Sequence, residues 1–211
     1  MNRGVFISFE GSEGCGKSTQ IARLESRLAG EGHEVLRTRE PGGTVLGEHV
    51  RKLLQHTPEV ENMTPESELF LFAASRAQLV REKIRPALEA GTWVIADRFL
   101  DSTTVYQGIG RGLGVEEVNA MNSFAIGDTK PQLTILLDLD AETGHQRAVE
   151  SGDDGPDRME NQPMEFFETV RNGYLELAKQ EPDRIAVIDA SKSIEEVEAA
   201  IWAECEGRLK I

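Results

Sequence analysis

The chain has 211 residues, enough for one sizeable core and too few for several large domains. Its formal charge of −14, from 37 acidic and 23 basic side chains, disfavours broad contact with nucleic-acid backbones or anionic membranes, which need basic surface. Hydrophobic residues make up 39% and charged residues 28%, the balance of an ordinary soluble globular protein, and no run approaches the ~18 apolar residues of a membrane span. The N-terminal apolar stretch is too short for the core of a signal peptide, and Cys15 and Cys205 lack the paired spacing of a metal site or a disulfide framework. A cytoplasmic location with reduced thiols is the expectation.

Short apolar runs at 4–9, 33–38, 92–97, 132–139 and 184–189 read as strands, several with almost no polar alternation, as in strands covered on both faces. Helical patterns fill the intervals. One runs from about Lys17 to Ala29 and stops at Gly30 and Gly32; a second covers about Val45–Gln55. A third starts at Thr64 as cap, with Pro65 at its first position, and runs to about Ala90. Others cover about Val115–Ala125, Ala141–Val149, Pro163–Gln180 and Ile194–Leu209. Strands alternating with such helices predict an α/β fold, a doubly wound, mainly five-stranded parallel sheet flanked by helices, in a single domain over 1–211. The acidic stretch at about 150–162, with two glycines and a proline, reads as a short mobile lid or as a solvated acidic turn.

Gly11-x4-Gly16-Lys17-Ser18 matches the P-loop pattern in the required strand–loop–helix setting. Its glycines let successive backbone N–H groups of Gly11, Ser12, Glu13, Gly14, Cys15, Gly16, Lys17, Ser18 and Thr19 surround an anion, and the following helix adds its positive end. Lys17 suits the β- and γ-phosphates of a nucleoside triphosphate, and the Ser18 hydroxyl suits Mg²⁺. Asp97, ending the third strand, is placed to support the metal shell, directly or through water. Arg98 follows at the edge of the parallel sheet where such folds bind ligands, and suits a second anion. Asp97 and Arg98 could equally form a surface ion pair. Phe72 and Arg76, four apart on one helix face, could stack a flat ring and read its edge, although Phe72 could also be core. No Asn-Lys-x-Asp motif appears, which disfavours a guanine-nucleotide switch.

Together, "FEGSEGCGKST", "TREPGGT", "LFAASRAQ", "ADRFLDSTTVYQGIGRG" and "DRMENQPMEFFETVRNGYLELA", spread in order from residue 9 to about 178, resemble thymidylate kinases. The resemblance implies ATP–Mg²⁺-dependent phosphorylation of dTMP to dTDP, no nucleic-acid or membrane partner, and a homodimer, with the helix faces around Glu68–Leu79 and Asp101–Gln107 as plausible surfaces. It implies that Phe72 stacks on thymine and Arg76 bonds its edge, that Arg98 and Arg51 hold the acceptor phosphate, and that Tyr106 disfavours a 2′-hydroxyl. Thr103 and Gln107 would add polar contacts, Arg39 and Glu40 would shape the pocket, and Glu13 would accept from the sugar 3′-hydroxyl. The catalytic cations would be Lys17, Arg98 and, because the P-loop offers no basic residue besides its lysine, Arg158 of the lid, with Arg147 just before it. Arg158 could instead pair with Asp157 or Glu160. A kinase for another nucleotide or nucleoside and a P-loop ATPase are the remaining alternatives.

Overall fold

The computed structural model describes residues 3–60, 62–151 and 162–209. Five strands, β1 (Phe6–Glu10), β2 (Val35–Arg39), β3 (Trp93–Asp97), β4 (Leu133–Asp138) and β5 (Ile185–Asp189), form one all-parallel sheet in the order β2-β3-β1-β4-β5. The predicted doubly wound α/β architecture is what the chain adopts. The chain runs outward one way from β1 to β2 and crosses β1 to reach β4. This reversal of winding opens a crevice at the carboxyl ends of β1 and β3, where ligands bind in such sheets.

Helices α1 (Lys17–Gly30) and α9 (Ile194–Leu209) cover one face; Ile7 and Phe9 of β1 pack there with Ile21, Leu24, Leu28, Val197 and Trp202. Each fully buried aliphatic or aromatic side chain in that layer contributes roughly 1.5–3 kcal/mol. Successive strand residues point to opposite faces, so Phe6, Ser8 and Glu10 face the other layer. That layer holds α3 (Pro65–Leu79), α4 (Arg85–Glu89), α5 (Leu100–Thr103), α6 (Val115–Ile126) and α8 (Met164–Gln180). Helix α2 (Val45–His56) follows β2, and α7 (Ala141–Ser151) follows β4.

Two helical stretches differ from expectation. The helix read as continuous over 64–90 contains a π-helical turn at Val80–Ile84 between α3 and α4. Pro86 lies two residues beyond it, as the second residue of α4; it has no N–H to donate and its ring crowds the preceding turn, which the wider turn relieves. After α5 the chain continues as a π-helix over Thr104–Gly110 where no separate helix was expected. Asp101 and Thr103–Gln107 are buried within the chain, so the predicted surface at Asp101–Gln107 does not exist. No described helix is long and apolar enough to cross a membrane. The predicted lid, with Arg158, Asp157 and Glu160, falls on 152–161, outside the described residues.

Candidate active site

The loop between β1 and α1 turns through three left-handed glycines, Gly11 (φ 137°), Gly14 (φ 66°) and Gly16 (φ 89°). Gly16 caps α1 without a side-chain hydrogen bond, and the first turn carries no acidic residue. The orphan N–H groups of α1 are therefore left to a ligand, where the helix end favours an anion. The Lys17 ammonium donates to the carbonyl oxygens of Ser12 (2.8 Å) and Gly11 (3.3 Å), which holds it at the mouth of the loop. The loop lies tightly on α7: a Cβ on Gly14 would stand 2.0 Å from the Gly144 carbonyl oxygen, and one on Gly144 would stand 2.6 Å from that of Glu13. Only glycines permit that approach. One turn further along α7, Arg147 is exposed and lines the cleft.

Opposite the loop stands Arg98, the one non-glycine residue with positive φ (66°) among those described. Such a conformation is uncommon outside glycine and is maintained only by surrounding contacts. Its amide donates to the Phe9 carbonyl (2.9 Å). Its guanidinium pairs with Glu13 at 2.5 Å and reaches the Gly11 carbonyl (3.0 Å), Ser102 (3.2 Å) and Tyr174 (3.3 Å). The partner of Arg98 is thus Glu13 and not Asp97, and the pair lies inside the cleft rather than at the surface. Burial opposes the charge on Arg98, but the Glu13 carboxylate and the Tyr106 and Tyr174 hydroxyls hold its pKa well above the ordinary value. Burial likewise pushes Glu13 up, but Arg98 and Lys17 more than offset it, leaving Glu13 below the usual carboxylate pKa. The Tyr106 hydroxyl donates to the second Glu13 oxygen (3.0 Å).

The far wall comes from α2, α3 and the segment after β3. Arg76 is 1% exposed and buries its guanidinium among Glu40, Asn122 (2.7 Å), the Phe99 carbonyl (3.2 Å) and Thr103 (2.8 Å). Gln107 donates to Glu68 (2.7 Å). Arg51 donates to the Pro41 carbonyl (3.1 Å), and Arg39 pairs with Glu48 (2.9 Å). Phe72 is half-buried and faces the cleft one turn from Arg76. One cleft of about 590 Å³ is lined by Lys17, Ser18 and Asp97 at one end and by Phe72, Arg76 and Gln107 at the other, with Glu13, Arg98 and Tyr106 among its walls. It has the lining for two ligands meeting at Arg98.

The family model described as thymidylate kinase matches residues 9–201. The chain belongs to the thymidylate kinase family. A thymidylate kinase of Deinococcus radiodurans is 50% identical over 208 residues, covering 99% of each chain. One of Desulfosudis oleivorans is 48% identical over 207 residues, covering 96% of each. The crystal structure of an Ehrlichia chaffeensis thymidylate kinase superposes with a TM-score of 0.79 at 34% identity, over 95% of this chain and 98% of that one.

In this thymidylate kinase family member a group that the sequence does not single out lies behind the cleft wall, against the lining residues Phe99 and Ser102. Glu10 ends β1 fully buried, and its carboxylate accepts from the Phe99 amide (2.8 Å), Ser102 (2.6 Å) and Tyr174 (2.8 Å). An acid ending an otherwise apolar strand beside the P-loop was the available signal. Burial, reinforced by nearby Asp101, pushes its pKa up to about 7, against the pull of Arg98 and of the Ser102 and Phe99 donors. A raised carboxyl pKa stabilises the fold below the unfolded value of 4.5 and loses that contribution as pH climbs through 7. The loss amounts to roughly 3 kcal/mol at about 1.4 kcal/mol per unit. Relative to wild type, Glu10→Gln should therefore gain up to about 3 kcal/mol between pH 4.5 and pH 8 in urea unfolding. A stability difference that does not move with pH would show that Glu10 titrates normally.

Proposed function

We propose that this cleft carries out the family's reaction, transferring the terminal phosphoryl group of ATP to the 5′-phosphate of dTMP to give dTDP, a step of dTTP synthesis. The reading is carried by one observation: the phosphate loop and the Arg98–Phe72–Arg76 wall share one cleft. In-line phosphoryl transfer asks mainly for positioning and for cations around a transition state whose charge is spread over the transferred group. Backbone amides from Gly11 to Thr19 hold the donor phosphates, with Lys17 on the β- and γ-phosphates. Arg98 holds the acceptor phosphate, supported by Arg51, and Arg147 adds positive charge from α7. Arg158 would add a further cation from the lid.

Mg²⁺ fits the residues present. Ser18 and Asp97 offer hard oxygen donors at the donor end, and no group of three or more His, Cys, Asp or Glu able to hold a metal exists among the described residues. An ion bound through one or two protein oxygens, substrate phosphates and water matches that sparse set, which is how Mg²⁺ usually binds. Bound there, it would neutralise phosphate charge. Phe72 stacks on the base; Arg76, which gives only one of its two Nη1 hydrogens to Asn122, has the other for the base edge. Thr103 and Gln107 stand beside it, Arg39 shapes the entrance, and Tyr106 and Glu13 meet the sugar. A coupled ADP-release assay with ATP–Mg²⁺ should give the highest kcat/KM with dTMP among dTMP, dUMP and UMP, and Phe72→Ala should raise the dTMP KM by about two- to tenfold. Equal turnover without acceptor would instead mark an ATPase.

The assembly proposed is a homodimer in the cytoplasm, formed through α3 and α6. Phe70 on α3 is 57% exposed and Phe124 on α6 is 82% exposed, large apolar surfaces on neighbouring helices. Sedimentation giving the mass of one chain at micromolar concentration would exclude it.

A further inference from the structure

We infer that Glu10 is a positioning residue for the acceptor: it fixes the aim of Arg98 through the Ser102 and Tyr174 hydroxyls and through the backbone of Phe99. The inference rests on the reading of Arg98 as the grip on the acceptor phosphate.

Three contacts carry it. The Ser102 and Tyr174 hydroxyls both approach the same carboxylate oxygen of Glu10, at 2.6 and 2.8 Å. The same two hydroxyls lie 3.2 and 3.3 Å from one nitrogen of Arg98, and 2.8 Å from each other. A hydroxyl has one hydrogen to give. When both give it to the carboxylate, both oxygens turn lone pairs toward the guanidinium, and Arg98 meets two acceptors instead of two dipoles of unfixed direction. The other carboxylate oxygen accepts the Phe99 amide at 2.8 Å, immediately after the left-handed Arg98. Glu10 thereby secures both the strained backbone and the side chain of the same residue. Glu13 holds the guanidinium from the opposite side but belongs to the phosphate loop. Glu10 sits in β1 and is fully buried, so its support does not depend on how the loop is occupied.

Glu10→Gln tests this with almost no change of shape. An amide keeps only one acceptor oxygen, so either the Phe99 amide or the two hydroxyls lose their acceptor, and in both cases the hold on Arg98 loosens. At pH 8, above the pKa of Glu10, calorimetric titration of the full chain with dTMP should show Kd raised about ten- to a hundredfold, the range for losing a hydrogen bond to a charged group. The Kd of a non-hydrolysable ATP analogue with Mg²⁺ should stay within about threefold, and in steady state the dTMP KM should rise with little change in the ATP KM. A merely structural Glu10 would weaken both nucleotides together or neither, and either result overturns the inference. Arg98→Ala is measured alongside. If it leaves dTMP affinity intact, the reading of Arg98 itself fails; if it weakens dTMP while Glu10→Gln does not, only the role of Glu10 fails. Should Glu10→Gln not fold, the Ser102→Ala/Tyr174→Phe double variant decides, because it removes both hydroxyls and keeps the Phe99 bond. The same selective loss of dTMP supports the inference, and unchanged dTMP affinity overturns it.

Discussion

Arg98→Ala should lower kcat/KM for dTMP by at least ~10²–10³-fold, the scale of removing one preorganised charge from a reacting phosphate. Arg98 is the only cation that contacts both the phosphate loop, at Gly11 and Glu13, and the acceptor wall, at Ser102 and Tyr174, among the described residues. On the proposed function, its removal takes away the grip on the acceptor and also leaves Glu13, now without its ion-pair partner, as a negative charge where the acceptor's phosphate would approach. The second effect has its own signature. In an Arg98→Ala background, Glu13→Gln should recover part of the lost dTMP affinity by removing that repulsion, although Glu13→Gln in the wild type should weaken binding. Steady-state kinetics on the four proteins of this cycle measure the coupling directly. Additive effects of the two substitutions would mean that the Glu13–Arg98 pair has no part in acceptor binding.

The fold was legible because parallel strands buried on both faces appear as short apolar runs, and all five were found within one or two residues of their ends. The π-helical segments at Val80–Ile84 and Thr104–Gly110 were not, since one extra residue in a turn leaves no mark in a helical hydrophobic pattern. At the site, the residues with a local pattern could be named in advance: the glycines and Lys17 of the loop, the Phe72–Arg76 spacing, and Arg98 after its strand. The residues that support them could not. Glu10, Ser102 and Tyr174 lie in three separate elements, and no spacing along the chain indicates that their oxygens meet behind one guanidinium. Arg76 could be named from its spacing as a candidate for reading a base, but not as the centre of a buried polar cluster. That second role follows only from tertiary contact.

Its consequence is a large expected loss of stability. The Arg76 side chain is 1% exposed and that of Glu40 is 3% exposed, and they are ion-paired. Burial already raises the Glu40 pKa in spite of Arg76, and Oε1 of its carboxylate has no hydrogen-bond partner among the described residues, both Arg76 bonds going to Oε2. Arg76→Ala strips the remaining counter-charge and also leaves Asn122, Thr103 and the Phe99 carbonyl without their donor. Breaking a buried pair in this way costs about 3–5 kcal/mol, or roughly 6–20 °C in thermal midpoint at ~2–4 °C per kcal/mol for a chain of this length. Glu40 can escape part of the cost by taking a proton. Its folded pKa would then lie further above 4.5, so the variant should be closest to wild type below that pH and fall behind as pH rises through the new value. Removing both charges separates scaffold from recognition. Arg76→Met/Glu40→Leu should regain most of the stability, since well-packed apolar residues can replace a buried pair at little cost, yet it should not regain dTMP affinity. Thermal melts at pH 5 and pH 8 with dTMP titrations of both variants test each half. A loss below about 1 kcal/mol would remove Arg76 from the framework, and recovery of dTMP binding in the double variant would remove it from the base site.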